Sequence, residues 1–209
     1  MMKDIVIVGA SGFAKEIRGV IDRINNIQQQ YNFLGYIDTC SEKDMVIGDD
    51  SFILNYSEPL CVVLAIADPK IREKLSRLYE KNKNITFPNL IDPNAIIIDE
   101  LMIGKGNIIC AGNIVTVGVN IGNFNIINLS CTVGHEVVIQ NYVTLNPSVN
   151  VSGNVLLSQG VSIGTGTQIL QGRTIGENTI IGAGAVVTTD VPNDCTAVGI
   201  PAKIVKDRR

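Results

Sequence analysis

Residues 121–139 read IGNFNIINLSCTVGHEVVI, with an aliphatic residue at every sixth position. The spacing continues without a break in both directions, so that all 17 positions in step from 91 to 187 are Ile, Leu or Val. A period of six fits neither an α-helix nor a simple β-hairpin, whose side chains repeat every 3.6 and 2 residues. It fits short strands joined by tight corners, where Gly and Asn supply backbone conformations with positive φ.

Three of these six-residue units, or hexads, make one triangular coil of 18 residues, and residues 91–192 supply between five and six coils. This pattern predicts an all-β parallel β-helix of hexapeptide repeats. The first and fifth residues of each hexad are expected to point into a narrow aliphatic prism. The third and fourth residues are expected at or beside a corner.

The first part of the chain has a different pattern. A buried strand over residues 4–8, a Gly-containing turn over 9–12 and a helix over about 13–24 are followed by strands near 33–37 and 61–66. This order predicts an α/β domain with a parallel sheet. Asp68-Pro69 then opens a second helix. Its predicted apolar stripe is Ile71, Leu75 and Leu78.

The boundary between the two patterns falls near Pro88. We therefore predict two domains, a Rossmann-like half-domain over residues 1–88 and a β-helix over 89–209. The first is long enough for one mononucleotide-binding half, which favours a nucleotide-linked small molecule over a redox dinucleotide. The turn Gly9–Gly12 is suited to a phosphate at a helix N-terminus. Asp38 either accepts hydrogen bonds from a ribose or uracil group, or is a strand-end turn residue.

Composition excludes several classes of protein. A net charge of −3 argues against a general nucleic-acid binder. The single His excludes any zinc site built on several His, including that of a γ-class carbonic anhydrase, and we predict no metal. Five scattered Cys without a C-x-x-C motif indicate a reduced, cytoplasmic chain. No apolar run approaches 18 residues, so neither a signal peptide nor membrane insertion is expected.

The single histidine, His135, stands third in its hexad, so we expect it at a corner and not in the core. An imidazole titrates close to neutral pH and can take a proton from an attacking amine or hydroxyl. Glu136 either orients this ring or is a solvated turn carboxylate. Cys131 stands fifth in its hexad and is predicted to fill the core. The alternative for His135 is an exposed residue without a role.

Several motifs resemble one known family. The hexads, the Gly134–Glu136 corner and the tail Gly199–Lys203 resemble the left-handed β-helix acyltransferases. The turn Gly9–Ala14 and the segment Ala65–Arg72 are similar to the branch that contains bacterial sialic acid O-acetyltransferases and nucleotide-4-amino-sugar N-acetyltransferases. This resemblance implies a homotrimer with active sites between subunits and acetyl-CoA in the cleft between neighbouring β-helices.

The resemblance also implies roles for particular residues. His135 matches the general base and Glu136 its modulator. The acetyl-CoA positions are Thr144, Thr165 and Ala183. The nucleotide-sugar positions are Ser11, Gly12 and Phe13 in the first turn, Asp38 and Thr39 after the second strand, and Ala67 after the third. Relatives often have His at the positions of Phe13 and Thr144, and Gly at that of Ala67.

The leading hypothesis is acetyl-CoA-dependent acetylation of an amino group on a nucleotide-linked sugar, in surface glycan biosynthesis. One alternative is O-acetylation of a sugar such as sialic acid, and another is a non-catalytic nucleotide-sugar-binding β-helix. Neither the sugar, the base nor the acyl chain is specified by the sequence. Outward aliphatic residues predict faces that a trimer would cover, namely Ile108, Ile114, Ile126, Val138 and Ile180.

Overall fold

The N-terminal domain is a five-stranded parallel sheet with flanking helices, in a computed structural model that describes residues 2–40 and 44–207. The strands lie in the order β3-β2-β1-β4-β5, as expected for an α/β half-domain. Its elements are β1 (Lys3–Val8), α1 (Gly12–Ile27), β2 (Tyr31–Ile37), β3 (Val46–Gly48), α2 (Asp50–Leu54), β4 (Leu60–Leu64), α3 (Pro69–Tyr79) and β5 (Ile85–Thr86).

Helix α3 begins as predicted, and two of its three predicted stripe residues, Leu75 and Leu78, pack against the core. The Asp68 carboxylate accepts the N–H groups of Lys70 and Ile71, and Pro69 occupies the first turn. The predicted stripe is wrong at Ile71, which is 49% exposed. The fully buried positions are instead Arg72, Ser76 and Tyr79, because this side of the helix also meets the polar backbone of the next domain.

The second domain is a triangular β-helix with three faces, as predicted. Face I contains β6 (Leu90–Ile91), β9 (Ile108–Ile109), β12 (Ile126–Ile127), β15 (Thr144–Leu145), β18 (Ser162–Ile163) and β21 (Ile180–Ile181), extended by β23 (Cys195–Val198) and β24 (Lys203–Asp207). Face II contains β7 (Ile96–Ile97), β10 (Ile114–Val115), β13 (Thr132–Val133), β16 (Asn150–Val151), β19 (Gln168–Ile169) and β22 (Val186–Val187). Face III contains β8 (Met102–Ile103), β11 (Asn120–Ile121), β14 (Val138–Ile139), β17 (Leu156–Leu157) and β20 (Thr174–Ile175).

The register of these strands gives the predicted coil of 18 residues. Ile126 pairs with Ile108 on one side and with Thr144 on the other, and faces II and III repeat the pattern. The chain passes from face I to II to III and back, so the prism has three edges, I–II, II–III and III–I. The first residues of successive hexads fill the interior, as Ile127 and Leu145 show at about 1% exposure or less.

Corner geometry confirms the predicted role of Gly and Asn. The positive φ angles fall on the fourth residue of the hexad, as at Gly112 and Asn154, and other residues such as Glu136 adopt them too. The glycines in second position serve a different purpose, because the next coil passes very close to them. A Cβ on Gly164 would lie 2.4 Å from the Ala183 nitrogen, so that position is kept open for backbone.

The N-terminal domain covers the upper part of face I. Leu90, Ile108 and Ile126 share one apolar cluster with β1 and α1, and each is at most 1% exposed. The expectation that Ile108 and Ile126 form a trimer surface is therefore wrong, since a domain of the same chain already covers them. Ile114 on face II and Val138 on face III stay exposed, at 37% and 38%.

Candidate active site

The predicted nucleotide-sugar residues meet at one edge of the N-terminal sheet. Strand β1 lies between β2 and β4, and all three run parallel. Their carboxyl ends therefore lie side by side and lead into the turn Gly9–Phe13, the pair Asp38–Thr39 and the loop Ala65–Ala67. This is the edge at which ligands bind in open parallel sheets.

Asp38 stabilises the backbone of this edge. One carboxylate oxygen accepts the Ala10 N–H at 3.0 Å and the other accepts the Cys40 N–H at 2.9 Å. The strand-end turn role left open by the sequence is thus present in the structure, and it shapes the turn at the start of α1. Ser11 is the N-cap of α1, yet within the described part of the chain its side chain makes no capping hydrogen bond. Ser11 is exposed, and its assignment to the nucleotide sugar stays a prediction.

A cleft of about 240 Å³ connects this edge to the β-helix. On the N-terminal side it is lined by Phe13, Glu16 and Ala67. On the β-helix side it is lined by Ile126, Asn128, Leu129, Thr144, Asn146 and Pro147. Glu16 is the one charged residue among these lining groups. The cleft lies at edge I–II, because Leu129 and Pro147 are the third residues of hexads that begin on face I.

Two predicted acetyl-CoA residues lie on edge I–II of the prism, further along the β-helix than the cleft. Thr165 and Ala183 follow β18 and β21, so Pro147, Thr165 and Ala183 form one column along edge I–II. The Gly184 N–H donates to the Thr165 carbonyl at 2.8 Å, which joins successive coils directly. This column and the cleft together give an elongated track from the β-helix to the nucleotide edge.

Thr144 is not in this column. It points outward from β15, is 2% exposed, and donates its hydroxyl to the Ala67 carbonyl at 2.9 Å. The Thr144 hydroxyl oxygen in turn accepts a hydrogen bond from Arg72 Nη2 at 3.0 Å. Thr144 therefore borders the cleft beneath the Ala65–Ala67 loop. Its assignment to acetyl-CoA stays a prediction.

His135 lies at edge II–III, where the sequence register placed it. Its side chain is 50% exposed, and Nδ1 lies 3.4 Å from Oε2 of Glu136. Glu136 has φ of 58°, an uncommon conformation for this residue, and its N–H donates to the Val117 carbonyl at 3.0 Å. The corner thus holds a carboxylate next to an exposed imidazole.

The His135 ring lies directly over Gly153, which stands at the same register one coil further along. A Cβ on Gly153 would lie 2.2 Å from Nε2 and 2.4 Å from Cε1 of His135. The Asn154 N–H also donates to the His135 carbonyl at 2.7 Å. The missing side chain at 153 therefore makes room for the imidazole.

One chain does not bring the imidazole to the cleft. Edge II–III is the only prism edge that does not border face I, whereas the cleft and the Thr165–Ala183 column follow edge I–II. The prism itself stands between His135 and the residues around Phe13. A reaction that uses both therefore requires a second copy of the chain.

Two cysteines of the β-helix are unsuited to this chemistry. Burial raises the pKa of the Cys110 and Cys131 thiols to about 12 and about 11, which leaves both as neutral core residues. Cys131 is 0% exposed, as predicted. Over residues 2–40 and 44–207, no three His, Cys, Asp or Glu side chains converge on a possible metal position. No helix in those ranges has the length and apolar character needed to cross a membrane.

Three residues around the site were missed by the sequence analysis. Glu16 was hidden because it follows Phe13 by one helical turn and reads as an ordinary surface residue of α1. Gly153 carries no side chain to notice. Arg72 ends the segment Ala65–Arg72, which the family resemblance had singled out, but an arginine next to an apolar stripe reads as solvated.

Comparison with known families gives two matches along the chain. The PglD N-terminal domain model matches residues 4–78. The bacterial transferase hexapeptide model, which covers six repeats, matches residues 154–189. No curated protein sequence matches the chain significantly.

Solved structures match over nearly the whole chain. WeeI from Acinetobacter baumannii AYE is 34% identical, with a TM-score of 0.86 over 98% of this chain and 100% of WeeI. PerB from Caulobacter crescentus, solved with CoA and GDP-perosamine, is 29% identical, with a TM-score of 0.89 over 99% of each chain. The acetyltransferase domain of PglB from Neisseria gonorrhoeae FA1090, solved with acetyl coenzyme A, is 25% identical, with a TM-score of 0.87 over 98% of this chain and 100% of that domain.

Proposed function

This chain belongs to the left-handed β-helix, hexapeptide-repeat acyltransferases with a PglD-type N-terminal domain, and on that premise we propose that it acetylates the amino group of a nucleotide-linked sugar with acetyl-CoA. PerB, similar over 99% of both chains, has been solved with CoA and a nucleotide-linked amino sugar. The observation that carries the proposal is the continuous track along edge I–II. In this track, one cleft connects the carboxyl edge of the N-terminal sheet, where nucleotides typically bind, to a column of small residues on the β-helix.

Each part of the track suits one part of the two substrates. We propose that residues 1–88 hold the nucleotide through Ser11, Gly12 and Phe13, with Asp38, Thr39 and Ala67 completing the sheet edge. Residues 89–209 hold acetyl-CoA along Thr165 and Ala183. The sugar then occupies the cleft between them, where the Glu16 carboxylate accepts hydrogen bonds from its hydroxyl or amino groups.

The chemistry needs a base and a stabilised oxyanion. His135 from a neighbouring copy removes a proton as the sugar amine attacks the thioester carbonyl carbon. The resulting tetrahedral oxyanion is stabilised by a backbone N–H group, and it collapses with cleavage of the carbon–sulfur bond. The imidazolium returns the proton to the departing thiolate, so the products are the amide and CoA–SH. Glu136, whose Oε2 lies 3.4 Å from Nδ1 of His135, orients the ring during the transfer.

We expect three copies around a threefold axis, because the base and the cleft lie on different edges of one prism. A cyclic assembly places the edge II–III of one copy against the edge I–II of the next and closes without open ends. Exposed apolar residues flank the base, including Ile114, Val117 and Val138. Light scattering should give three times the 22.5 kDa chain mass. A monomer at micromolar concentration would contradict this arrangement.

Mixing two inactive variants tests whether the site is shared between copies. His135→Asn removes the base, and Ala67→Trp fills the cleft. In a mixed trimer, an Ala67→Trp chain supplies an intact His135 to the intact cleft of a His135→Asn chain. Activity should therefore reappear when the two variants are denatured and refolded together, although each alone stays inactive. Mixtures no more active than their components would show that each chain works alone.

The function itself is tested by release of free thiol from acetyl-CoA with a panel of nucleotide-linked amino sugars. The product distinguishes the alternatives, since an amide survives alkaline hydroxylamine and a sugar ester does not. Acetylation of a hydroxyl would favour the sugar O-acetyltransferase hypothesis. Binding of a nucleotide sugar without any thiol release would favour the non-catalytic alternative. The acyl donor and the five free cysteines favour a cytoplasmic reaction that supplies surface glycan synthesis.

A variant at Asp38 tests the nucleotide edge. Asp38→Asn keeps one oxygen acceptor but replaces the other with an NH₂ group, which cannot accept the Ala10 N–H. Loss of about 1.5 kcal/mol from one charge-assisted hydrogen bond should raise the acceptor KM about 10-fold. The KM for acetyl-CoA should not change, because Asp38 lies away from the Thr165–Ala183 column. A rise in the acetyl-CoA KM alone would reverse the assignment of the two domains.

A further inference from the structure

Arg72 is a buried cation between the two domains. It projects from α3, is 1% exposed, and uses all five of its N–H groups. Desolvation lowers its pKa to about 9, against the opposing effect of the nearby Asp68 carboxylate. The six hydrogen-bond acceptors around it are backbone carbonyls or a hydroxyl, and none of them is a carboxylate.

These acceptors come from three separate segments. Nη1 donates to the carbonyls of Ile66 at 2.7 Å and Ala67 at 3.1 Å, in the loop after β4. Nε donates to the Phe124 carbonyl at 2.7 Å, on edge III–I. Nη2 reaches the next coil on the same edge and donates to the Tyr142 carbonyl at 2.8 Å, the Val143 carbonyl at 3.2 Å and the Thr144 hydroxyl at 3.0 Å.

The network converges on one carbonyl. The Ala67 oxygen accepts from Arg72 and also from the Thr144 hydroxyl at 2.9 Å. Ala67 lies at the carboxyl edge of the N-terminal sheet and lines the cleft. Thr144 belongs to the β-helix, which carries the Thr165–Ala183 column. The guanidinium thus connects the Ile66–Ala67 loop rigidly to two successive coils of the β-helix.

Stability alone is a poor explanation for such a group. Burying a charge that is hydrogen-bonded only to neutral acceptors is costly, and an apolar residue of similar volume often serves stability as well or better. What a guanidinium adds is a planar fork that fixes the directions of several carbonyls at once. A lysine has three donors on a flexible stem and cannot reproduce that pattern.

We propose that Arg72 is a positioning residue. It holds the Ile66–Ala67 loop in the position that the nucleotide sugar requires relative to acetyl-CoA on the Thr165–Ala183 column. This inference rests on the proposed function, in which that loop borders the bound nucleotide sugar. It assigns Thr144 a part in the same network, as the hydroxyl that shares the Ala67 carbonyl with the guanidinium.

The test compares Arg72→Lys and Thr144→Val with a matched control, Ser76→Ala. Ser76 is buried on the same helix and lies 3.1 Å from the Tyr142 hydroxyl across the domain junction, and its described side-chain hydrogen bonds are with Tyr142 and the Glu73 carbonyl, not with the loop. Arg72→Lys should raise the acceptor KM about 10-fold, the effect of one lost charge-assisted hydrogen bond, and leave the acetyl-CoA KM unchanged. Thr144→Val should also raise the acceptor KM, but by a smaller factor. Ser76→Ala should lower the melting temperature without changing either KM.

Two further readouts keep the proposal falsifiable. Hydrogen exchange of residues 65–68 should speed up in Arg72→Lys but not in Ser76→Ala, and affinity for UDP or GDP alone should fall as the acceptor KM rises. A lower melting temperature with unchanged KM values, exchange and affinity would reduce Arg72 to a structural residue. A rise in the acetyl-CoA KM instead would place Arg72 and Thr144 on the donor side and overturn the proposal.

The variants separate failure of this proposal from failure of the proposed function. If Arg72→Lys does not fold, Thr144→Val decides, because valine closely matches the shape of threonine. If the wild-type enzyme releases no thiol with any nucleotide-linked amino sugar, the proposed function fails. Exchange at residues 65–68 and affinity for UDP or GDP then still test the role of Arg72.

Discussion

His135→Asn should lower kcat by about 10²–10⁴-fold, the range usual for loss of a general base. Asparagine is polar and shorter than histidine, so it fits over Gly153 and leaves the corner backbone in place. Because the side chain is half exposed and its one described side-chain contact is with Glu136, the variant should keep the melting temperature of the wild type. The measurement is steady-state turnover of acetyl-CoA and the acceptor at saturation.

The matched control for this variant is Glu136→Gln. It preserves shape and the positive-φ corner but removes the charge beside the imidazole. We expect a smaller loss of kcat than for His135→Asn, since the neutral amide still fills the position beside the imidazole and the base itself is retained. Near-normal turnover in His135→Asn would remove this residue from the mechanism, and an equal loss in both variants would make Glu136 an essential partner.

The sequence predicted the β-helix almost completely because its structure is local and repeated. Every inward position from Ile91 to Val187 obeys one period, so a single register places all of them. The same register placed His135 at a corner and Thr165 above Ala183. In the N-terminal domain, β1, α1, β2, β4 and α3 followed from ordinary signals such as the Asp68-Pro69 helix start, whereas the short elements β3, α2 and β5 were not predicted.

What the sequence did not show depends on contacts between the two patterns. Ile108 and Ile114 look equivalent in the repeat, but the N-terminal domain buries the first and leaves the second exposed. The period contains no information about which face another domain covers. Arg72 and Thr144 lie 72 residues apart and meet only where α3 crosses edge III–I. Their hydrogen bonds arise from domain docking, which no local pattern encodes.

Gly153→Ala should lower kcat by roughly 10²-fold, the cost of misplacing a reacting group by about 1 Å. The glycine is not needed for backbone conformation, because its φ lies outside the positive range and Ala183 occupies the same hexad register on edge I–II. The added methyl group meets the imidazole, since its position lies 2.2 Å from His135 Nε2. The ring must therefore move away, while both substrate sites stay intact. We expect unchanged KM values and an unchanged melting temperature.

A double-mutant cycle distinguishes this effect from a general disturbance of the corner. In a His135→Asn background the imidazole is already gone, so Gly153→Ala should cause little further loss of turnover. If the two losses multiply instead, the methyl group acts through some other part of the corner. Full activity of Gly153→Ala alone would show that the ring tolerates displacement, and that its position over Gly153 is not the one used in the reaction.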